Sequence, residues 1–69
     1  MLAQNIKKFR IQLGLSQEEL ARKAGITYST LIKLESGVNK NPTVKTLQQL
    51  ASGLGVSLDQ LLKGKSPSK

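Results

Sequence analysis

The chain contains no cysteine and no histidine. That removes disulfides and the usual zinc and thiolate chemistry, and a cysteine-free chain fits a reducing compartment, so the cytoplasm is the expected location. Acidic residues are scarce as well: Glu18, Glu19, Glu35 and Asp59 are the only four. With no histidine or cysteine beside them and no phosphate-cradling glycine loop, they supply no set for general acid–base, nucleophilic or metal-assisted chemistry. Neither enzymatic activity, nor a cofactor, nor a bound metal is expected. No apolar run approaches the roughly 18 residues of a membrane span, and no signal-peptide pattern precedes the first helix. No membrane partner is expected.

What is abundant is positive charge. Lysine and arginine number 11 against four acids, a net charge of +7 on 69 residues, which puts a positive potential over most of so small a surface. Charge alone fits either a polyanionic partner or a solubilising surface. The length admits one domain with a modest core, which makes helix capping and short loops necessary.

The stretch from Ser16 to Ser36, SQEELARKAGITYSTLIKLES, reads as two helices around one tight turn. Ser16 and Glu19 have the spacing of a reciprocal cap, each satisfying a backbone N–H of the other, which starts a helix near Gln17. Leu20 and Ala24 share a face of it, and Gly25 supplies the left-handed conformation in which helices commonly end. Thr27 then caps a second helix whose Leu31 and Leu34 turn toward the first, with Ile26 in the corner and small Ala21 at the closest approach. Placing Leu31 and Leu34 inward sends Ser29, Lys33 and Ser36 outward, with Tyr28 and Ile32 on one flank and Thr30 on the other.

Around this unit the pattern is helical throughout. Leu2, Ile6, Phe9 and Leu13 form the apolar stripe of a first helix that ends at Gly14. Gly37 closes the third helix, and the loop to Pro42 follows. Thr43 caps a fourth helix with Val44, Leu47, Leu50, Ala51 and Leu54 on its apolar face, stopped by Gly55. Ser57 and Gln60 form a second reciprocal cap, opening a short fifth helix with Leu58, Leu61 and Leu62. The prediction is an all-α, five-helix domain over residues 1–63, followed by a disordered basic tail or linker stump over 64–69.

The order of these features resembles the helix-turn-helix of the lambda-repressor and Cro family. Counting Gln17 as the first position, the family's apolar places fall on Leu20, Ala24, Ile26, Leu31 and Leu34, its small residue on Ala21 and its turn glycine on Gly25. The resemblance implies that helices two and three form the motif, with the third entering the major groove of double-stranded DNA. Carried over position by position, base reading falls on Thr27, Tyr28, Ser29 and Lys33, with apolar Ile32 available to a thymine methyl. For Tyr28 the alternative is packing against the turn, and for Ile32 an isolated exposed apolar residue.

Phosphate contact is expected at Gln17, at the positive end of helix two, and at Lys40, Asn41 and Thr43 in the loop after helix three, for which a merely solvated loop is the alternative. Arg10 sits where the family carries a basic residue paired with a glutamate late in helix three, here Glu35. An ion pair and a phosphate contact by Arg10 are both open. Leu58 falls where two DNA-bound copies of the family meet, with Leu61 and Leu62 turned into the core.

The function expected from this resemblance is a sequence-specific DNA-binding transcriptional regulator, a repressor acting as a homodimer that DNA helps to form. Two rivals stand beside it: an antitoxin-type module of the same fold whose partner is a protein, and the DNA-binding part of a longer repressor.

Overall fold

Hydroxyl side chains set the starts of four helices. The computed structural model describes residues 2–64. Its elements are α1 (Leu2–Gln12), α2 (Gln17–Ala24), α3 (Tyr28–Ser36), α4 (Val44–Leu54) and α5 (Leu58–Lys63), with no strand among the described residues. Ser16, Thr27, Thr43 and Ser57 each stand just before a helix in extended backbone and accept from the N–H three residues on, and Ser16 and Ser57 complete the reciprocal cap with Glu19 and Gln60. The expected tail lies outside the described residues except for Gly64, which caps α5.

α2 packs between α3 and α4, while α1 lies against α3, α4 and α5. Ile6, Phe9, Leu20, Leu31, Leu34, Leu50 and Leu61 fill the centre, and Ala21, Ala24, Ala51 and Leu54 close its edges. The α2–α4 contact depends on a residue that the periodicity does not single out. A Cβ at Gly53 would lie 3.0 Å from both Cα and N of Ala24, so the missing side chain lets the two backbones approach this closely.

Three leucine and valine positions differ from the sequence reading. Leu13 is 52% exposed: it lies one residue past the end of α1 at Gln12, and after the left-handed turn at Gly14 (φ +70°) Leu15 packs against the core instead. Val44 is 62% exposed: it is the first residue of α4, whose buried residues are Leu50, Ala51 and Leu54 in its second half. Leu62 is 50% exposed. Leu61 takes the single inward place of the six-residue α5, and the next residue is rotated about 100° away from it.

α5 is held in an unexpected way. Asn5 Nδ2 donates to the carbonyl oxygens of Leu61 (3.0 Å) and Leu62 (3.1 Å), and Lys8 Nζ donates to that of Gly64 (2.8 Å). These carbonyls at the end of α5 have no intrahelical donor, so α1 caps the C-terminus of α5 across the length of the chain.

Candidate nucleic-acid interface

The turn between α2 and α3 is built by backbone hydrogen bonds. Gly25 N–H donates to the Arg22 carbonyl at 3.2 Å and Ile26 N–H to that of Ala21 at 3.0 Å, the paired closure that a left-handed residue permits, with Gly25 at φ +73°. Ile26 packs against the core in the corner, as its spacing implies. Thr27 then accepts from Thr30 N–H (3.1 Å) and donates its hydroxyl proton to Thr30 Oγ1 (2.8 Å). The expected base reader Thr27 is therefore exposed, but its hydroxyl is engaged in starting α3.

Three residues anchor α3. Leu31 and Leu34 are buried against the core, and Glu35 is the one buried charged residue among the described residues. Arg10 meets its carboxylate through two nitrogens, Nε to Oε2 at 2.7 Å and Nη2 to Oε1 at 3.1 Å, with side-chain exposures of 15% and 2% for Arg10 and Glu35. Arg10 Nη1 donates to the Leu15 carbonyl (2.9 Å) and Gln17 Nε2 to Glu35 Oε1 (3.1 Å). One carboxylate thus ties together α1, the turn before α2, the first residue of α2 and the last turn of α3. A forked pair of this kind resists sliding as well as separation. The ion-pair reading of Arg10 is what the geometry displays, and three of its N–H groups are directed inward.

On the other side of α3, Ser29 and Lys33 are exposed and Tyr28 is 48% exposed. Ile32 is half-buried, so it is not an isolated apolar residue in solvent. Ser36 is exposed but turns its hydroxyl back onto the Lys33 carbonyl (3.2 Å). Lys40 and Asn41 are exposed in the following loop. Asn39 organises that loop: its N–H donates to the Lys33 carbonyl (3.1 Å) and its side-chain oxygen accepts from Asn41 N–H (3.1 Å). Asn39 is the signal for this local turn, in which an asparagine side chain bonds the backbone two residues on. The Asn41 N–H is consequently occupied, and Thr43 Oγ1 is engaged with Thr46 as the cap of α4 (3.2 Å).

The structure therefore gathers Arg10, Gln17 and Glu35 behind the motif and places Tyr28, Ser29 and Lys33 on its open side. Lys40 and Asn41 lie in the loop that leaves α3. Leu58 is half-buried on α5, and no His, Cys, Asp or Glu group suited to a metal occurs among the described residues. No helix among them is long and apolar enough to cross a membrane.

Comparison with known proteins agrees with this geometry. The sequence model of the helix-turn-helix family matches residues 6–61. The HTH-type transcriptional regulator SinR of Bacillus licheniformis is 36% identical over 69 residues, covering all of this chain and 62% of the relative. The HTH-type transcriptional regulator YqaE of Bacillus subtilis is 44% identical over 69 residues, covering all of this chain and 59% of the relative. Among solved structures, SinR, the master regulator for biofilm formation, in complex with DNA superposes with a TM-score of 0.86 at 39% identity, over 90% of this chain and 98% of that one. The chain spans about six-tenths of the length of the curated relatives it matches.

Proposed function

This chain belongs to the helix-turn-helix family, and from that premise we propose that it is a sequence-specific double-stranded DNA-binding transcriptional regulator, a repressor that binds a two-fold operator as a homodimer in the cytoplasm. The observation that carries the reading is the construction of α3. Leu31, Leu34 and Glu35 fix the helix from behind, and Tyr28, Ser29 and Lys33 are left in solvent with no side-chain hydrogen bond among the described residues. A rigid helix presenting donors and one cation on a protein of charge +7 suits a major groove. The similar SinR structure contains DNA.

In this reading Lys33 donates to guanine O6 and N7, Ser29 and Tyr28 contact neighbouring base edges, and Ile32 lies toward a thymine methyl. Thr27 contributes by starting the helix at the groove. Gln17, Lys40, Asn41 and Thr43 grip phosphates; Asn41 does so with one donor fewer than its sequence offers, because its N–H is already engaged, while the Thr43 hydroxyl oxygen accepts from Thr46 N–H. Half-sites roughly 10 base pairs apart would place two copies of α3 in successive major grooves. The contact between copies is assigned to Leu58, joined by exposed Leu62 on the same short helix.

Selecting bound duplexes from a random pool tests the proposal. A recurring two-fold sequence is expected, bound with an affinity that falls with salt at a log–log slope of about −0.9 per phosphate neutralised. Retention of no duplex, or an affinity indifferent to salt, rejects it.

A further inference from the structure

Glu35 does more than pair with Arg10. Its Oε1 accepts from Arg10 Nη2 and Gln17 Nε2 alike, each at 3.1 Å. A glutamine amide is nearly symmetric in shape and can present either its oxygen or its nitrogen; a carboxylate only accepts, so next to Glu35 the nitrogen must face inward. Arg10 holds that carboxylate in place through two nitrogens, and its third contact, to the Leu15 carbonyl, holds the turn from which Gln17 emerges. One N–H of the Gln17 amide is spent on Glu35, and the other has no partner among the described residues.

From this arrangement we infer that Glu35 is a positioning residue for DNA binding: through the Gln17 amide it aims the remaining N–H of that side chain at an oxygen of the DNA backbone, and so locks the phosphate contact of α2 in register with base reading by α3. The inference rests on the DNA-binding reading above. Register is the reason such a link matters, because phosphate contacts fix where a reading helix sits while carrying no sequence information themselves. A glutamine free to rotate presents its donor only part of the time. One held by a buried ion pair presents it before DNA arrives, and the ordering cost on binding falls accordingly.

The test uses the whole chain and a background in which the ion pair is replaced by apolar residues, Arg10→Met with Glu35→Leu, an exchange that leaves no buried charge unpaired and is often neutral for stability. Gln17→Ala is introduced into the parent and into this background, and affinities for a selected operator and a random duplex are titrated at one salt concentration, below the unfolding transition of every variant. In the parent Gln17→Ala should weaken both duplexes by a similar factor of roughly 3- to 10-fold. In the background the same change should have little effect. An equal loss in both overturns the inference.

A second measurement does not depend on the background folding. In the free parent protein, one side-chain amide proton of Gln17 should exchange with water more slowly than those of exposed Gln12; equal exchange overturns the inference. A parent that retains no duplex while its Gln17 proton is protected fails the DNA-binding reading, and the role of Glu35 in binding falls with it. A parent that binds DNA but shows an unprotected Gln17 fails this inference alone.

Discussion

α2 and α5 begin with the same device and end in the same way. Each starts from a serine whose hydroxyl accepts from a backbone N–H three residues on and whose own N–H reaches the side chain there, at 2.7 Å in α2 and 2.8 Å in α5, and each stops at a left-handed glycine. Their tertiary surroundings differ. α2 lies between two helices, with Leu20, Ala21 and Ala24 buried and an ion-pair network at its first residue. α5 buries Leu61 alone and is held by Asn5 and Lys8 on its terminal carbonyls, with Leu58 and Leu62 left partly in solvent. Local sequence therefore decides that a helix forms, whereas distant partners decide whether it is locked into the core or leaves apolar side chains at its edge.

The largest expected effect breaks the rigid side of that contrast. Leu31→Ala should cost about 2 to 5 kcal/mol of folding stability, since the side chain is fully buried where α3 meets the core. Urea unfolding with an unchanged midpoint would show that α3 is not anchored there. Lys33→Ala, two residues on, should leave the midpoint nearly where it was.

The next prediction sharpens the distinction between reading and holding. Lys33→Ala and Lys40→Ala each delete one exposed positive charge. Lys33→Ala should cost about 1 to 3 kcal/mol on the operator and relax preference at one or two base pairs per half-site. Lys40→Ala should weaken operator and random duplex by similar factors, as a phosphate contact does. Titrations against operator, singly substituted operators and random DNA at fixed salt separate them. A uniform loss for Lys33→Ala would reduce it to a phosphate contact and leave base reading to Tyr28, Ser29 and the start of α3.

α5 answers to a smaller change. Leu58→Lys should leave unfolding almost intact and reduce cooperative occupation of a full operator by about 1 kcal/mol or more, with half-site binding unaffected. Equal cooperativity in mutant and parent would remove α5 from the contact between copies.

The same contrast explains what was legible in the sequence. All four hydroxyl caps, the turn at Gly25 and the buried faces of α2 and α3 follow from spacings of three and four residues, which local physics enforces. Leu13 and Val44 depart from the pattern because periodicity gives the angle around a helix axis but not the position along it, and both lie at a helix end or just past one, whereas Leu62 departs in angle, since a helix as short as α5 turns only one of two adjacent leucines inward. The Gln17–Glu35 bond, the Asn5 clamp and the close approach at Gly53 join residues 18, 56 and 29 positions apart, where no local pattern exists to announce them. The outward residues of α3 are a third case. Their exposure follows from the wheel, but their assignment to bases came from family resemblance, because a surface that makes no internal contacts leaves no trace of its purpose in the packing.

One difference between the two caps is chemical, and it sets the smallest effect. Glu19 closes the cap of α2 and is ionisable; Gln60 closes that of α5 and is not. The backbone N–H of Ser16, then the Ser16 hydroxyl, hold the Glu19 carboxyl below its ordinary range, with Arg22 and Lys23 adding to the same direction. A group whose folded pKa is depressed stabilises the fold in full above its unfolded value, and that contribution is lost as pH falls through the lower folded value. Glu19→Gln should therefore be less stable than the parent near neutrality, and the gap should close as urea midpoints are compared from about pH 7 to about pH 3. The converse change, Gln60→Glu, should give α5 a pH dependence of the same sign that the parent α5 cap lacks. Full exposure of the Glu19 carboxyl keeps the effect small, since solvent screens it. A gap between Glu19→Gln and parent that is the same at both ends of the range would mean that the cap works through hydrogen-bond geometry alone, and that the two boxes are equivalent in chemistry as well as in shape.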